Sequence, residues 1–254
     1  MKKIYQISLA VVTALSFTAC NQDTFNSNTL KSIVQSNSAA QIVEYKQSIL
    51  RHLVEYKNTL DAKNPNSYNK ALQEEIRNQI KNEQNYINII QDKKKLVHFD
   101  DYFYYAFSPK KVKNRNDFLI LGLYKLIYES YNLDETHKFT AISYDAERLK
   151  KLYKYLQVVA WKVRNTKDNN GNYLFKTWQK DWQIRLEKEY RGDLNIINSY
   201  DSVKSKSESV LGQSFFTFEV LIEKMISDVE YTLIKVNIEP QKIGFDVAKA
   251  FLFL

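Results

Sequence analysis

Apolar residues recur every three or four positions along most of the chain, which is the spacing of one face of an α-helix. The first such stretch predicts a helix that ends at the turn signal Asn64-Pro65-Asn66. A second helix is predicted to continue as far as Ile90, and the two helices are expected to form an antiparallel hairpin. The apolar positions of this hairpin are Ile42, Tyr45, Ile49, Leu53, Tyr56, Leu60, Leu72, Ile76, Ile80, Ile87 and Ile90.

The most apolar helix predicted from the sequence covers residues 118–132, and we expect it to lie at the centre of the core. Ser143 is the expected N-cap of the next helix, in which Asp145 and Glu147 occupy the first turn. Its buried face is expected to consist of Leu149, Leu152, Tyr153, Leu156, Val159, Ala160 and Val163.

Two further helices are predicted beyond the turn Asp168-Asn169-Asn170-Gly171. The first is indicated by the four-residue spacing of Leu174, Trp178, Trp182 and Leu186, and the second covers residues 206–237. We therefore predict an all-α fold, an irregular bundle of about six to eight helices. The bundle either forms one unit over residues 39–254 or divides near Pro109 into an N-terminal helical hairpin and a C-terminal helical subdomain.

The first 19 residues have a different character from the rest of the chain. A positive start, Met1-Lys2-Lys3, precedes an uncharged and mostly apolar stretch that ends in small residues before Cys20. This is the layout of a secretory signal peptide. The apolar stretch is shorter than the roughly 20 residues that a membrane-spanning helix needs.

Phe17-Thr18-Ala19-Cys20 resembles the lipobox of bacterial lipoproteins. The resemblance implies cleavage before Cys20 and attachment of several acyl chains, palmitate among them, which makes membrane binding durable. Asn21 follows where Asp would imply retention in the inner membrane, so the resemblance implies the outer membrane. The alternative is an ordinary signal peptide that is cleaved near Ala19. The polar residues 21–38 predict a flexible tether between the lipidated N-terminus and the helical domain.

The chain is basic, with a formal net charge of +8, and removal of Lys2 and Lys3 with the signal peptide lowers this by two to +6. A basic protein outside the cytoplasm is not expected to meet nucleic acid. Its expected partners are anionic lipid headgroups, lipopolysaccharide phosphates, acidic glycans or another envelope protein.

The most distinctive local feature is the aromatic strip FDDYFYYAFSP, residues 99–109, directly followed by a basic run. Aromatic rings can stack on sugar rings while lysines bind phosphate or carboxylate groups, so the pattern predicts a ligand or partner site. The alternative is that the rings belong to the core and the charges to the solvated surface. The candidate residues are Tyr102, Tyr104, Tyr105, Lys110, Lys111, Lys113 and Arg115.

Evidence for an enzyme is confined to Glu129-Ser130, which resembles the start of the catalytic motif of lytic transglycosylases. The resemblance implies peptidoglycan cleavage with Glu129 as general acid, provided that burial among aromatic rings raises its pKa. The alternative is a solvent-facing glutamate at a helix end. Phosphate-binding loops, dinucleotide fingerprints, serine elbows and zinc spacings are absent from the sequence, and we predict no cofactor.

Two other sets of residues have alternative functional interpretations. Each histidine has a carboxylate three positions away, in the pairs His52/Glu55, His98/Asp101 and His137/Asp134, but chance pairing is the better account and no metal site is predicted. Arg191-Gly192-Asp193 resembles the tripeptide that integrins recognise and offers a surface adhesin as an alternative function.

The sequence as a whole predicts a non-enzymatic lipoprotein, anchored to the outer membrane through Cys20 and facing the periplasm. Its basic helical domain is expected to act as a binding or scaffold module for another envelope protein or an anionic envelope polymer.

Overall fold

The computed structural model describes residues 27–133, 145–177, 181–189, 192–205 and 217–241. These residues form an all-α, multi-helix arrangement, which confirms the predicted fold class. The elements are α1 (Ser27–Lys63), α2 (Gln73–Lys81), β1 (Ile90–Gln91), β2 (Lys94–Lys95), α3 (Phe99–Ala106), α4 (Arg115–Ser130), α5 (Ala146–Asn165), α6 (Asp181–Glu189), a 3-10 helix (Leu194–Ser199), α7 (Asp201–Lys204) and α8 (Thr217–Lys235). The short strands β1 and β2 pair antiparallel, with Ile90 opposite Lys95.

Helix α1 begins earlier than the sequence predicts. Residues 27–38, which the polar composition assigns to the tether, belong to this helix. Residues 21–63 contain neither glycine nor proline, so nothing in the sequence forces the helix to stop at the polar residues. The C-terminal end agrees with the prediction, because α1 ends at Lys63 directly before Asn64-Pro65.

Helix α2 is shorter than predicted, because it ends at Lys81 and does not reach Ile87 or Ile90. The buried side chain of Gln79 accounts for this ending. Its Oε1 accepts hydrogen bonds from the backbone N–H of Tyr86 at 2.9 Å and of Ile87 at 2.6 Å. Glu83 takes a left-handed conformation, with φ 53°, as the chain turns back. The side chain thereby satisfies backbone donors that a longer helix would have used itself.

Helix α4 lies at the centre of the core, as predicted, since every one of its residues except Glu129 is buried. Helix α5 has the predicted buried face, with Leu149, Leu152, Tyr153, Leu156, Val159 and Val163 in the core and Ala160 half-buried against it. Its N-cap is Asp145 and not Ser143, which lies outside the described residues. The Asp145 carboxylate accepts hydrogen bonds from the backbone N–H of Glu147 and Arg148.

The C-terminal helices agree only partly with the predicted stripes. The predicted turn at Asp168–Gly171 is present, with Gly171 at φ 77° and the Asp168 carboxylate accepting two backbone N–H groups. Helix α6 starts after Leu174, so Leu174 is not on the helix that contains the buried Trp182. Trp178 and residues 206–216 of the predicted final helix lie outside the described residues. From Thr217, α8 follows the prediction.

One contiguous apolar core joins α1, α2, α3, α4, α5 and α8 and includes residues on both sides of Pro109. The rings of Tyr102 and Tyr105 contact Phe118 across this position, at centroid distances of 6.2 and 5.3 Å. The described residues therefore show no division of the core at Pro109. None of the helices in this part of the chain combines the length and apolar character needed to cross a membrane.

A buried polar cluster fixes the loop between α1 and α2. The Lys57 ammonium lies 2.7 Å from Asp61 Oδ2 and 3.3 Å from Asp117 Oδ1, and all three side chains are buried. Asn116 Nδ2 donates to Asp61 Oδ1 at 3.0 Å, and the backbone N–H of Asn69 donates to Asp117 Oδ2 at 2.7 Å. These contacts connect α1, the loop and the start of α4.

Candidate functional site

A surface groove with a volume of about 650 Å³ lies between α3 and α5, and the turn at residues 107–110 closes one end. We call it the aromatic–lysine groove. It includes part of the aromatic strip and the first lysine of the basic run that the sequence singles out. Its principal lining residues are Asp100, Phe103, Tyr104, Phe107, Lys110, Lys154, Tyr155, Val158 and Lys162.

The groove has an aromatic floor that is held by ring–ring contacts. The rings of Phe103 and Tyr155 stack at a centroid distance of 6.1 Å and an interplanar angle of 21°. Phe107 contacts Phe103 at 6.1 Å, and Phe99 meets Tyr155 edge to face at 5.2 Å. Tyr104 stands at the edge with 69% of its surface exposed. The floor therefore presents apolar ring surface to a ligand in a geometry fixed by packing.

Three lysines, Lys110, Lys154 and Lys162, surround this aromatic floor. Among the residues that the structure describes, none of these three ammonium groups forms an ion pair with a carboxylate. The Lys162 Nζ lies 5.3 Å from the centroid of the Phe107 ring, within cation–π range. The groove thus combines apolar ring surface with positive charge that internal carboxylates do not neutralise.

Asp100 is the acidic residue of the groove, and its carboxylate accepts a hydrogen bond from a neighbouring side chain. The Tyr155 hydroxyl donates a hydrogen bond to Asp100 Oδ1 at 3.1 Å. Burial, and then the negative charge of Asp100, raise the pKa of Tyr155, so the phenol stays protonated and keeps this bond. The pair joins α3 to α5 across the groove.

The turn at the closed end of the groove is held by Arg115. Its Nη1 donates to the carbonyl oxygens of Ala106 at 2.7 Å and of Ser108 at 2.8 Å, and its Nη2 donates to that of Lys110 at 2.7 Å. A further bond reaches the carbonyl of Tyr105 at 3.3 Å. The guanidinium is buried and therefore positions the turn without facing a ligand.

The structure separates the three candidate tyrosines. Tyr104 and the candidate Lys110 line the groove. Tyr102 is a core residue, because it is fully buried and its hydroxyl accepts from the Ile89 N–H and donates to the Leu96 carbonyl. Burial raises the pKa of Tyr102 to about 12. Tyr105 points to the hairpin β1–β2, where its hydroxyl donates to Asp92 Oδ2 at 2.9 Å.

The candidate lysines beyond Lys110 do not line the groove. Lys111 and Lys113 are exposed on the following loop and add to the positive charge near its closed end. Arg115, as described above, has a structural role. Of the seven candidates, the structure brings Tyr104 and Lys110 together in one groove.

The contribution of α5 to the groove is not among the sequence predictions. Lys154, Tyr155, Val158 and Lys162 all line it, although they are distant in sequence from the aromatic strip. A weak signal was present, because Lys154, Val158 and Lys162 recur every four residues beside the buried face of α5. Only the packing of α3 against α5 makes this stripe part of a site.

The enzyme hypothesis for Glu129 is not supported by its surroundings. Glu129 is exposed, whereas every other residue of α4 is buried. The alternative interpretation, a solvent-facing glutamate at a helix end, describes its position. The burial that the general-acid hypothesis requires is absent.

The structure describes some residues of the histidine pairs and of the Arg-Gly-Asp tripeptide, and these residues make structural contacts. His52 Nδ1 lies 3.4 Å from Asp228 Oδ2 on α8, and the described residues contain no group of three or more side chains that could hold a metal ion. His137 and Asp134 lie outside those residues, as does Arg191. Asp193 caps the 3-10 helix by accepting the N–H of Asn195 at 2.8 Å.

Comparison of the chain with protein-family models, with curated proteins and with solved structures finds no match.

Proposed function

We propose that this protein is an envelope lipoprotein that is anchored to the outer membrane through Cys20 and binds an anionic envelope polymer in the aromatic–lysine groove. The observation that carries the binding proposal is the set of three lysines around a floor of packed aromatic rings. In this account the lipid determines location, the N-terminal segment gives reach, and the groove supplies the contacts. The helical domain faces the periplasm.

The chemistry of the groove favours a polymer of acidic sugars or phosphosugars. A sugar ring offers a face of C–H groups that packs on Phe103, Phe107 or Tyr155, while carboxylate or phosphate groups pair with the lysines. A neutral ligand leaves the lysines unused, and a simple inorganic anion leaves the rings unused. Charge pairing at an exposed rim also predicts that binding weakens as salt concentration rises.

The binding proposal can be tested with polygalacturonate, a soluble acidic-sugar polymer, and with its methyl ester, which has the same rings without the charge. We expect the full mature chain carrying Cys20→Ser to bind the acid and not the ester in isothermal titration calorimetry. The triple variant Lys110→Gln, Lys154→Gln, Lys162→Gln should bind about tenfold more weakly, since three surface ion pairs of about 0.5 kcal/mol each sum to about 1.5 kcal/mol.

A matched control separates the groove from net charge. The variant Lys63→Gln, Lys70→Gln, Lys204→Gln loses the same charge at three exposed lysines that do not line the groove. The proposal requires this control to bind like wild type. Equal weakening in both triple variants would show that the polymer responds to overall charge, and the groove would lose its role.

The anchor has its own support, which is the position of the chain's single cysteine directly after an apolar, uncharged segment. Mass spectrometry of the mature N-terminus from native membranes should find acyl chains on Cys20, and Cys20→Ser should release the protein from the membrane fraction. An unmodified N-terminus near Ala19 and a soluble wild-type protein would contradict the anchor while leaving the groove proposal intact.

A second candidate partner is another envelope protein. Several large apolar side chains between residues 86 and 104 are exposed, and protein contacts commonly bury such side chains. They are Tyr86, Ile90, Val97 and Tyr104. A photo-crosslinking amino acid placed at position 104 in intact cells should capture one defined protein if this candidate is correct. The same probe at the exposed position 70 serves as the control.

A further inference from the structure

A second cavity, with a volume of about 440 Å³, lies on the other flank of α5, between this helix and α8, with α1 at its base. Its chemistry differs from that of the aromatic–lysine groove, because none of its lining residues is a lysine. The residues on which the argument depends are Tyr56, Trp161, Arg164, Phe218, Glu219 and Glu223.

The apolar part of the cavity consists of aromatic rings. Tyr56 and Phe218 are buried at its base and meet edge to face, with centroids 5.4 Å apart and an interplanar angle of 86°. Trp161 stands on α5 with 48% of its surface exposed. A half-exposed indole beside a cavity offers a flat apolar face to an entering ligand.

The polar part contains both acceptors and a donor. Glu219 and Glu223 lie one turn apart on α8 and both line the cavity, while Arg164 faces them from α5. Oε2 of Glu219 is buried and has no hydrogen-bond partner among the described residues. Burial, the largest effect, raises the pKa of Glu219 although the charge of Arg164 opposes this. A buried carboxyl group that is short of partners marks a place where a ligand can supply hydrogen bonds.

The mixture of charges restricts the class of ligand. Two carboxyl groups disfavour an anion, and the guanidinium of Arg164 disfavours a cation in the same space. An uncharged ligand with several hydroxyl groups satisfies both, because each hydroxyl donates to a carboxylate or accepts from a guanidinium. The apolar face of such a ligand can then pack on the indole of Trp161.

We propose that this second cavity binds an uncharged sugar unit, which stacks on Trp161 and exchanges hydrogen bonds with Glu219, Glu223 and Arg164. The proposal does not depend on the aromatic–lysine groove. The two sites lie on the two flanks of α5, so a ligand can occupy one site while the other is empty.

The test uses calorimetric titration of the full mature chain carrying Cys20→Ser with chitotetraose, an uncharged oligosaccharide of N-acetylhexosamine. We expect saturable binding that weakens about tenfold in Trp161→Ala, since loss of one stacking surface is comparable to that factor. Glu223→Gln, at an exposed position, should weaken binding as well, because it replaces an acceptor oxygen by a donor group.

Two control variants keep the result specific. Tyr104→Ala removes an exposed ring from the other groove, and Glu230→Gln removes a carboxylate of α8 that does not line the cavity. Both should bind chitotetraose like wild type, and circular dichroism should show that all variants are folded. The proposal is overturned if wild type does not bind the oligosaccharide up to its solubility limit. It is also overturned if Trp161→Ala and Tyr104→Ala weaken binding equally. A parallel titration with spermidine, a cation, overturns it as well if spermidine binds more tightly than the oligosaccharide.

Discussion

The ammonium group of Lys57 lies 3.3 Å from the carboxylate of Asp117, and both side chains are fully enclosed by protein. This contact joins the C-terminal part of α1 to the start of α4. Burial raises the pKa of Asp117, and the positive charge of Lys57 opposes that effect. Because each group compensates the charge of the other in a region without solvent, neither can be removed alone without a large cost.

We predict that Lys57→Met lowers the free energy of unfolding by about 3–5 kcal/mol, because it leaves buried carboxylates without a counter-charge. Urea denaturation at neutral pH measures this loss. Lys63→Met, at an exposed position near the end of the same helix, is the control and should change stability by no more than about 0.5 kcal/mol. Similar stabilities for the two variants would show that the buried cluster contributes little.

A close approach between α3 and α4 gives the second prediction. A Cβ atom added at Gly122 would lie 2.9 Å from Phe103 Cδ1 and 3.1 Å from Tyr102 Cβ. We expect Gly122→Ala to destabilise the protein, since overpacking costs about 1–3 kcal/mol while the better helix propensity of alanine returns at most about 1 kcal/mol. Urea denaturation checks this, and Phe103→Leu in the same chain should recover part of the loss. A more stable Gly122→Ala variant would contradict the packing account.

Arg115 gives the third prediction, which connects stability to the groove. A lysine at this position cannot reproduce the fork of N–H donors that holds the turn at residues 107–110. We expect Arg115→Lys to lower stability by about 1–3 kcal/mol. We also expect faster amide hydrogen exchange across the turn and weaker binding of polygalacturonate. Lys63→Gln, at an exposed residue outside the groove, should change none of these three properties. Unchanged amide exchange in Arg115→Lys would contradict the role of Arg115 in positioning the turn.

The raised pKa of Glu219 gives a prediction about pH. Because the folded-state pKa exceeds that of the unfolded chain, the native state binds more protons between the two values, and wild-type stability falls as pH rises through that window. Glu219→Gln removes this titration. We therefore expect the variant to gain stability relative to wild type as pH increases from below the unfolded pKa to neutral. Thermal unfolding across this range measures the difference, and a pH-independent difference would contradict the burial effect.

The sequence predicted the elements whose stability depends on a regular apolar stripe. The buried face of α5 follows the stripe that periodicity predicts, whereas α4 is buried on all sides and was predicted from its apolar composition. The end of α2 was missed because it depends on one side chain, Gln79, which caps backbone groups well beyond the helix. Hydrophobic periodicity contains no information about such a contact.

The groove was predicted only in part, for a related reason. Phe99, Tyr102, Phe103 and Ala106 have helical spacing and form the buried face of α3, so the assignment of Tyr102 to the core could have been made from the sequence. The contribution of Lys154 and Lys162 could not, because it depends on how α5 packs against α3. Lysines on a helix usually lie on the solvated surface. In the structure, Lys154 and Lys162 line the same groove as the rings of Phe107 and Tyr155, which makes both lysines candidates for ligand binding.

The most direct test of the account is to map bound polygalacturonate on the isotopically labelled mature chain carrying Cys20→Ser by NMR chemical-shift changes. We expect the largest changes on residues 99–110 and 154–162, which form the two walls and the closed end of the aromatic–lysine groove, and we expect no changes with the methyl ester. Changes spread evenly over exposed lysines, or concentrated away from α3 and α5, would contradict the claim that this groove is the binding site.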